Sequence, residues 1–428
     1  MPEPYLLPSD LPASSDGPAA AGRPPSAGTG TAAPAQPPAP PRAHRFGRDP
    51  SPAPAAPAPR EPEAPAAAVF IGRFQPFHSG HLGLLRQALA AAPLAVVVLG
   101  SAWQARSPKN PFTWEERAEM IGLAVEEADG PAARARLRFL PVRDLFDESR
   151  WQAAVRRGVG ALLAREGLGD APPVALVGHF KDATSEYLRG FPGWRLLSLP
   201  RSGPTDATAV RDAYFGCAAE KPAHGEAPLD RARLDACLVA LTQQLPPAIR
   251  DVLRAWAALP PYRALAEEWH MLQRYRAAWA AAPYPPVFVT VDAVVRCGAR
   301  VLLVRRGGAP GRGQWAVPGG FVEPRETLWQ SALRELAEET GLALPEEEMR
   351  ARLRAVAVFD HPDRSQRGRT ITHAHFFDLG ERPLPAVRAG DDAAAAEWMP
   401  VERLAALEPE CFEDHFHMLD HFLRIVQD

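Results

Sequence analysis

Two histidines separated by two residues are the first feature of this sequence that could do chemistry. His78 and His81 lie in the stretch GRFQPFHSGH at residues 72–81, between the apolar run VFI at 69–71 and an amphipathic segment. This order predicts a buried strand, a tight turn that glycine permits, and the first turn of a helix. Such a turn offers unpaired backbone N–H groups and a positive helix end to nucleotide phosphates. The simpler interpretation is that the histidines only cap the helix.

Three glutamates form a second group with a chemical role. A helix is predicted from the cap Thr327 to Gly341, which ends it as the C′ residue. At 3.6 residues per turn Glu335, Glu338 and Glu339 share an arc of about 100° on this helix. Crowded carboxylates repel one another, and bound Mg²⁺ or Mn²⁺ removes that repulsion because both cations accept hard oxygen ligands. Such a metal polarises a diphosphate and activates water, which favours hydrolysis between phosphates. The alternative is an acidic helix face in solvent.

The elements that must position these residues alternate along the first half of the chain. Apolar runs predict strands at 69–71, 94–99, 138–142, 174–177 and 195–199. Amphipathic segments predict helices at 80–91, 114–127 and 151–166. This alternation is typical of a parallel α/β sheet.

Composition shifts divide the chain into four segments. Residues 1–66 are rich in Pro, Ala, Ser and Gly, which predicts a disordered tail. An α/β domain is predicted over 67–220, a helical connector over 221–285, and an α+β domain over 286–428. The last domain should contain mixed strands, one long helix after residue 327 and a terminal helix near 412–426.

Charge and cysteine usage exclude several classes of function. The chain has 428 residues, is 46% hydrophobic and carries a net charge of −3, so it can build two cores but has no broad basic field for nucleic acid. No apolar run is long enough to span a bilayer and no signal pattern is present, so we expect a cytoplasmic protein. The sequence leaves open whether it is a monomer or a homo-oligomer. Its four cysteines form no CxxC pair, which argues against a zinc ribbon or a disulfide framework: Cys217, Cys237, Cys297 and Cys411.

Residues 72–81 resemble the GRFQPFHxGH signature of archaeal-type nicotinamide mononucleotide (NMN) adenylyltransferases, within the HxGH nucleotidyltransferase superfamily. GSA at 100–102 and KNPFT at 109–113, followed by Glu116 and Arg117, resemble the next blocks of that family. The resemblance implies a Rossmann-like domain that transfers AMP from ATP to NMN, giving NAD and pyrophosphate. It also implies that His78 and His81 are catalytic and stabilise the transferring phosphate.

The family closes its ATP site with a motif similar to ISSTxxR, and this chain has TDATAVR at 205–211. Thr208 and Arg211 fit the motif, while the residues before them do not. Thr208 is expected to cap a helix and bind substrate, and Arg211 is expected to be catalytic by contacting the β- and γ-phosphates. An ordinary capped surface helix is the alternative.

The same resemblance implies further substrate contacts. Trp151 stands where the family places a tryptophan that stacks on the nicotinamide ring, although a core tryptophan is the alternative. Gly72, Arg73 and Lys109 are expected to contact substrate. A later block at 177–188 makes Lys181 and Asp182 candidates without assigned roles.

Residues 320–342 match every fixed position of the Nudix box. The resemblance to the Nudix family implies that Glu335, Glu338 and Glu339 are metal ligands, that Glu335 and Glu339 are catalytic, and that the Gly319 carbonyl is a further ligand. Arg334 and Glu326 are expected to support the loop–helix–loop.

Residues 282–293 and 318–321 resemble the Nudix half of bifunctional adenylyltransferase–ADP-ribose pyrophosphatases, which implies hydrolysis of ADP-ribose to AMP and ribose 5-phosphate. The arginine-rich stretch 364–373 suits phosphate or ribose contacts, or is a solvated basic loop. Three acidic residues outside the box are candidates for a base: Asp363, Asp391 and Glu397. Two alternatives remain: a nucleotidyltransferase with another acceptor joined to a Nudix hydrolase of other nucleoside diphosphates, or a Nudix domain that only senses its ligand.

Overall fold

A five-stranded parallel sheet forms the centre of the first domain. The computed structural model of the chain describes residues 64–169, 172–178, 190–199, 205–220, 229–390 and 392–426. The strands are β1 (Ala67–Gly72), β2 (Leu94–Leu99), β3 (Leu137–Pro141), β4 (Val174–Gly178) and β5 (Arg195–Ser198). Their order is β3-β2-β1-β4-β5, with every pairing parallel. The central strands are buried throughout, as expected of a parallel sheet covered on both faces.

Helices cover both faces of this sheet. They are α1 (Ser79–Ala91), α2 (Trp114–Asp129), α3 (Pro131–Arg134), α4 (Glu148–Arg165) and α5 (Ala207–Gly216). Because side chains alternate along β1, Phe70 packs in a core with Leu85 and Met120, while Val69 packs on the other face with Val155. Helix α4 begins three residues before its predicted start, since the Asp147 carboxylate accepts a hydrogen bond from the backbone N–H of Arg150 and caps the helix.

Three helices follow in the predicted connector: α6 (Arg231–Ala240), α7 (Pro247–Trp256) and α8 (Pro260–Ala278). They share a hydrophobic core with the first domain instead of standing apart from it. Tyr214 of α5 donates a hydrogen bond to the Leu253 carbonyl at 2.7 Å, and Tyr262 donates to the Tyr214 carbonyl at 2.9 Å. These helices therefore extend the first domain, and its boundary with the connector stays a prediction.

A mixed sheet forms the centre of the second domain. The strands are β6 (Val287–Cys297), β7 (Arg300–Arg306), β8 (Trp315–Ala316), β9 (Gly319–Phe321), β10 (Leu353–Phe359), β11 (Arg369–Asp378) and β12 (Ala393–Pro400). The main path is β10-β11-β6-β7-β12, with β8 beside β7 and β9 beside β6. Only the β11–β6 pairing is parallel.

Helices pack on both faces of the second sheet: α9 (Leu328–Thr340), α10 (Glu346–Arg352), α11 (Leu404–Leu407) and α12 (His415–Leu423). Leu336 of α9 packs with Val295 on one face, and Phe416 of α12 packs with Val294 on the other. The predicted fold, a parallel α/β domain followed by a mixed sheet between helices, is confirmed. No helix in the described ranges is both long and apolar enough to cross a membrane.

The two domains belong to one compact unit and contact each other directly. Arg143 of the first domain forms an ion pair with Glu408 of the second at 2.5 Å, and the Glu408 side chain is only 4% exposed. Lys109 forms an ion pair with Asp363 at 3.5 Å. Phe146 packs against the ring of His361. Charged and aromatic side chains thus join the domains near the carboxyl end of the parallel sheet.

Glu408 makes this junction sensitive to pH. Burial raises the pKa of Glu408 to about 7, although the Arg143 guanidinium opposes the shift. This pKa lies above the value of about 4.3 expected for the unfolded chain, so the native state binds the proton more tightly. Protonation of Glu408 therefore contributes in full to the free energy of unfolding below about pH 4.3, and this contribution is lost as the pH rises through 7.

We therefore expect Glu408→Gln to flatten the fall in the free energy of unfolding between pH 5 and 8. The difference from the wild type across that window should be on the order of 3 kcal/mol. Urea denaturation at several pH values measures it, and Glu410→Gln, an exposed neighbour, serves as the control. Parallel pH curves for the wild type and Glu408→Gln would contradict the assignment.

Candidate active sites

The loop between β1 and α1 is built around a buried aromatic residue in a strained backbone conformation. Phe74 has φ of +52° and is 2% exposed. This left-handed conformation costs roughly 1–2 kcal/mol for a residue other than glycine. A Cβ at Gly72 would lie 2.8 Å from the Phe74 ring, so packing requires glycine there. The role of Gly72 in substrate binding stays a prediction.

His78 and His81 lie against each other at the start of α1. Their ring centroids are 3.5 Å apart with an interplanar angle of 20°. His78 is the N-cap of the helix, and its Nδ1 accepts a hydrogen bond from the backbone N–H of His81. Burial, together with His78, lowers the pKa of His81 well below its ordinary value. His81 is therefore a neutral imidazole, and its buried Nδ1 has no hydrogen-bond partner among the described residues.

A fully buried arginine holds the backbone around these histidines. Arg117 of α2 is 0% exposed, and its guanidinium donates to the carbonyls of Arg73 at 2.6 Å, Gly100 at 2.7 Å and Ser101 at 3.3 Å. These carbonyls follow β1 and β2, so one side chain ties together the carboxyl ends of two neighbouring strands. Ligands bind at this edge in open α/β sheets.

Arg211 reaches the same loop from α5. Its Nη1 donates to the Gln75 carbonyl at 2.5 Å and its Nη2 to the Thr208 hydroxyl at 3.1 Å. Burial, reinforced by the nearby Arg73, lowers the pKa of Arg211 to about 10, so it stays charged at neutral pH. The prediction that Thr208 caps the helix is wrong, because Asp206 is the N-cap and accepts from the Thr208 N–H. A carboxylate is available one position before the helix, and Thr208 instead orients Arg211.

The remaining predicted substrate contacts of the first domain line one cavity of about 750 Å³: Gly72, Arg73, Lys109 and Trp151. Trp151 also packs against the core beside α4, so the two interpretations of this residue are compatible. Burial and the nearby Arg73 lower the pKa of Lys109, while Asp363 opposes the shift. Lys181 and Asp182 lie outside the described residues.

Helix α9 has the ends that the sequence predicts. Thr327 is the N-cap and forms a capping box with Gln330. Gly341 ends the helix with φ of +66°, a left-handed conformation that favours glycine. The three predicted metal ligands are thereby placed on the last two turns.

Arg334 holds the carboxylates of α9 in the structure. Its guanidinium donates to Glu326 at 3.0 Å, to Glu335 at 3.0 Å and to Glu338 at 2.8 Å. Glu338 is turned toward Arg334, and nowhere in the described ranges do three or more His, Cys, Asp or Glu side chains form a group that could hold a metal ion. The predicted three-carboxylate cluster is thus not assembled here, because the adjacent guanidinium satisfies the repelling charges.

Glu339 stands apart from this network. Its carboxylate accepts a hydrogen bond from the Gly319 N–H at 3.0 Å, which places both predicted ligands side by side. Burial raises the pKa of Glu339 to about 8, with Glu335 and Asp292 adding to the shift. A Cβ at Gly320 would lie 2.5 Å from the Glu335 carboxylate, so this carboxylate lies directly against the backbone of β9. Oxygen donors whose charges oppose one another in a buried place fit a hard divalent cation.

The three arginines in the loop after β10 have different partners in the structure. Arg364 is buried in a two-point ion pair with Asp414 at 2.8 and 2.9 Å, so its guanidinium is already engaged. Arg367 lies over the Phe321 ring at 5.0 Å, beside the end of β9. Arg369 donates to the Asp360 carbonyl. Of the three arginines in the stretch predicted to choose the substrate, Arg367 is the one that lies over Phe321 at the end of β9.

The acidic residues predicted as a possible base are separated in space. Asp363 lies at Lys109 of the first domain. Glu397 is exposed on β12, opposite Leu303 of β7. Asp391 lies outside the described residues.

Two family models match the chain, one in each domain. A model described as cytidylyltransferase-like matches residues 69–145, and a model described as a NUDIX domain matches residues 286–422. The nicotinamide/nicotinic acid mononucleotide adenylyltransferase of Acinetobacter baylyi is 39% identical over 148 residues, which are 34% of this chain and 74% of that protein. The ADP-ribose pyrophosphatase of Methanocaldococcus jannaschii is 33% identical over 138 residues, 32% of this chain and 73% of that protein.

Solved structures of one bifunctional enzyme span both domains. A bifunctional NMN adenylyltransferase/ADP ribose pyrophosphatase from Francisella tularensis is 31% identical with a TM-score of 0.74, covering 84% of this chain and 99% of that one. The chain belongs to this bifunctional family. A second structure from the same organism, complexed with AMP and an Mn ion, is 30% identical with a TM-score of 0.73. The first domain is hereafter the adenylyltransferase domain and the second the Nudix domain.

Sequence reasoning missed two residues in these sites. Arg117 was noted only as part of a family block, and its position on a helix that is otherwise apolar toward the sheet was the available signal. Asp292 of β6 is 5% exposed and accepts a hydrogen bond from Thr372, and burial raises its pKa to about 6. A single aspartate within the apolar run VFVTVDAVV was the signal for it.

We expect Arg117→Lys to lower the free energy of unfolding by on the order of 3 kcal/mol. A lysine ammonium cannot donate to all three carbonyls as the planar guanidinium does. Each buried polar group left unpaired costs about 1–3 kcal/mol. Urea denaturation measures the loss, with exposed Arg157→Lys as the matched control. Equal stability of the two variants would show that the carbonyls find other donors.

We expect millimolar Mn²⁺ to raise the melting temperature of the wild type and to raise that of Glu339→Gln much less. The cation relieves the buried charge at Glu339, and an amide offers a weaker ligand. Differential scanning fluorimetry gives the shift, and Glu347→Gln, on an exposed face of α10, should behave as the wild type. An equal shift in Glu339→Gln would place the metal elsewhere.

Proposed function

We propose that this chain is a bifunctional enzyme of NAD metabolism. The adenylyltransferase domain transfers AMP from ATP to NMN, giving NAD and pyrophosphate. The Nudix domain hydrolyses ADP-ribose to AMP and ribose 5-phosphate. The observation that carries the proposal is the presence of both sites in one chain. His78 and His81 lie in the loop at 72–81, and Arg211 binds to this loop. In the second domain, Glu335 and Glu339 lie against the glycines at 319 and 320.

In adenylyl transfer the protein positions two substrates and stabilises charge on the phosphates, and the NMN phosphate attacks the α-phosphate of ATP in line. His81 is a neutral imidazole, so one ring nitrogen keeps a proton that it can donate in a hydrogen bond to the transferring phosphate. The N-terminus of α1 adds backbone N–H donors beside it. Arg211 is held at Gln75 by a hydrogen bond and supplies positive charge for the leaving pyrophosphate.

Trp151 and the cavity beside it suit the acceptor. The indole lies on the cavity wall with Arg73 and with Lys109, which is paired with Asp363, so an aromatic face and the Arg73 cation are available to one mononucleotide. The ring of the nicotinamide would stack on the indole, and a cation would contact the phosphate.

In the hydrolysis of ADP-ribose, Glu335, Glu338, Glu339 and the Gly319 carbonyl would hold Mg²⁺ or Mn²⁺, which supplies a Lewis acid for the diphosphate and an activated water. Glu335 and Glu339 lie close enough for Glu335 to raise the pKa of Glu339. Arg334 holds Glu335 and Glu338 in place and can release them to the cation, while Glu326 retains the guanidinium.

ADP-ribose is a more coherent substrate than NAD for the Nudix domain. Hydrolysis of NAD would undo the reaction of the neighbouring domain. The four cysteines, Cys217, Cys237, Cys297 and Cys411, are all free and scattered between the domains, which does not match the four-cysteine zinc module typical of Nudix NAD pyrophosphatases.

The test assays the purified full chain with NMN and Mg-ATP, and separately with ADP-ribose. His81→Ala should lower NAD formation at least about 100-fold, the loss typical of one donor to a transition-state charge. Glu339→Gln should lower ADP-ribose hydrolysis at least about 100-fold, since even outer-shell partners of a metal cost 10- to 100-fold.

Each variant is the control for the other, because each should retain the reaction of its unaltered domain. Loss of both reactions in either variant would exclude two independent sites. Turnover of phosphopantetheine in place of NMN, or of NAD at a rate comparable with ADP-ribose, would contradict the substrates proposed. Binding of ADP-ribose with Mg²⁺ present but without turnover would indicate a sensor.

A further inference from the structure

Residues of the Nudix domain line the cavity of the adenylyltransferase domain. The cavity of about 750 Å³ contains Trp151 and Lys109 on one side and His361 and Asp363 on the other. His78, His81 and Arg211 are not among its described lining residues. With Trp151 in its proposed role, this cavity is the acceptor side of the site.

Carboxyl groups predominate on the described walls of this cavity. The acidic lining residues are Asp144, Glu148, Glu268, Asp363, Glu413 and Asp414. The cationic ones are Arg73, Lys109 and Arg364. Arg364 is already paired with Asp414, and Lys109 with Asp363, so most of the positive charge is neutralised before a ligand enters.

The segment at residues 361–366 is held rigidly in this wall. Arg364 anchors it through its buried ion pair with Asp414. The Gln366 side-chain oxygen accepts from the Lys109 backbone N–H at 3.1 Å, and the Gln366 carbonyl accepts from Arg276 of α8 at 2.8 Å. At the other end, the His361 ring lies 4.7 Å from the ring of Phe146.

Asp363 and Arg364 are the charged members of this segment on the cavity wall, and Asp363 is the one with an exposed side chain. Its carboxylate lies 3.5 Å from the Lys109 ammonium, which also donates to the Asp363 carbonyl at 3.1 Å. The Asp363 side chain is 62% exposed, so replacing it leaves the packing of the segment intact.

We propose that Asp363, a residue of the Nudix domain, sets the acceptor specificity of the adenylyltransferase domain by disfavouring a mononucleotide whose base carries an additional carboxylate. The amidated acceptor has a cationic pyridinium ring and a neutral amide, whereas the acid form adds a negative charge to a cavity rich in carboxylates. Asp363 repels that charge directly and also occupies Lys109, the cation that could neutralise it. The inference rests on the proposed adenylyl transfer.

The experiment compares NMN with nicotinic acid mononucleotide in the full-length protein. The ratio of kcat/KM for the two acceptors is measured in the wild type, Asp363→Asn, Asp363→Glu and Asp360→Asn. Asp363→Asn should reduce the preference for NMN about three- to fivefold, in the range of one partly exposed charge interaction, mainly by lowering KM for the acid form. Asp363→Glu should retain the preference, because it retains the charge.

Asp360→Asn is the matched control, since Asp360 is exposed three residues earlier and does not line the cavity. An unchanged ratio in Asp363→Asn overturns the proposal. So does an equal change in Asp360→Asn, or a loss confined to ADP-ribose hydrolysis, which would make Asp363 the base of the Nudix reaction instead.

Calorimetry separates failure of this inference from failure of the proposed function. Dissociation constants for the two mononucleotides, measured without ATP, give the same selectivity ratio without turnover. A wild type that forms no dinucleotide would refute the adenylyl transfer, whereas equal selectivity of binding in the wild type and Asp363→Asn would refute the role of Asp363 alone.

Discussion

The adenylyltransferase site depends on one buried guanidinium. Arg117 has no exposed surface, and its pKa is lowered to about 10 by burial, yet it stays charged because backbone carbonyls after β1 and β2 surround it. A buried charge of this kind is tolerated only when its donors are satisfied. The carbonyls also need the guanidinium as a donor, because a carbonyl beyond the end of a strand lacks a hydrogen-bond partner on the neighbouring strand. One of these carbonyls belongs to Arg73, which stands between Gly72 and the strained Phe74.

The two active sites solve opposite electrostatic problems. The loop at residues 72–81 is surrounded by a neutral His81, the N-terminus of α1 and the charged Arg211, a set of groups that suits phosphates. The Nudix site must attract a cation, and it gathers carboxylates that repel one another. Arg334 balances two of those carboxylates, while burial raises the pKa of Glu339. Hydrogen-bond donors and a positive charge in the first site thus suit phosphates, and carboxylates in the second site suit a cation.

The junction between the domains gives the chain a property that neither half has alone. The segment at 361–366 is anchored in the Nudix domain by Arg364 and contacts the adenylyltransferase domain through His361, Asp363 and Gln366. A loop that sequence reasoning assigned to the Nudix substrate therefore forms a wall of the neighbouring acceptor cavity. Because the two domains are joined in one chain, the Nudix domain contributes the carboxylate of Asp363 to the wall of a cavity in the adenylyltransferase domain.

The sequence by itself determined the elements and the two motifs. Strand β2 is found at its predicted residues, and the ends of α9 at Thr327 and Gly341 follow from local capping rules. Local patterns suffice there because periodicity and caps act over a few residues. The start of α5 was misjudged at Thr208, where the neighbouring aspartate is the better cap.

Contacts between residues far apart in the chain were decided only by the tertiary structure. The ion pair of Lys109 with Asp363 spans 254 residues, and the role of Arg117 depends on two strand ends meeting at one edge of the sheet. The same holds for the carboxylates of α9. Their helical spacing predicts one cluster, whereas Arg334 donates to Glu335 and Glu338, and the Gly319 N–H donates to Glu339. The spacing of residues along a helix shows which side chains can come into contact. Burial and the competing charges of the folded chain decide which of them do.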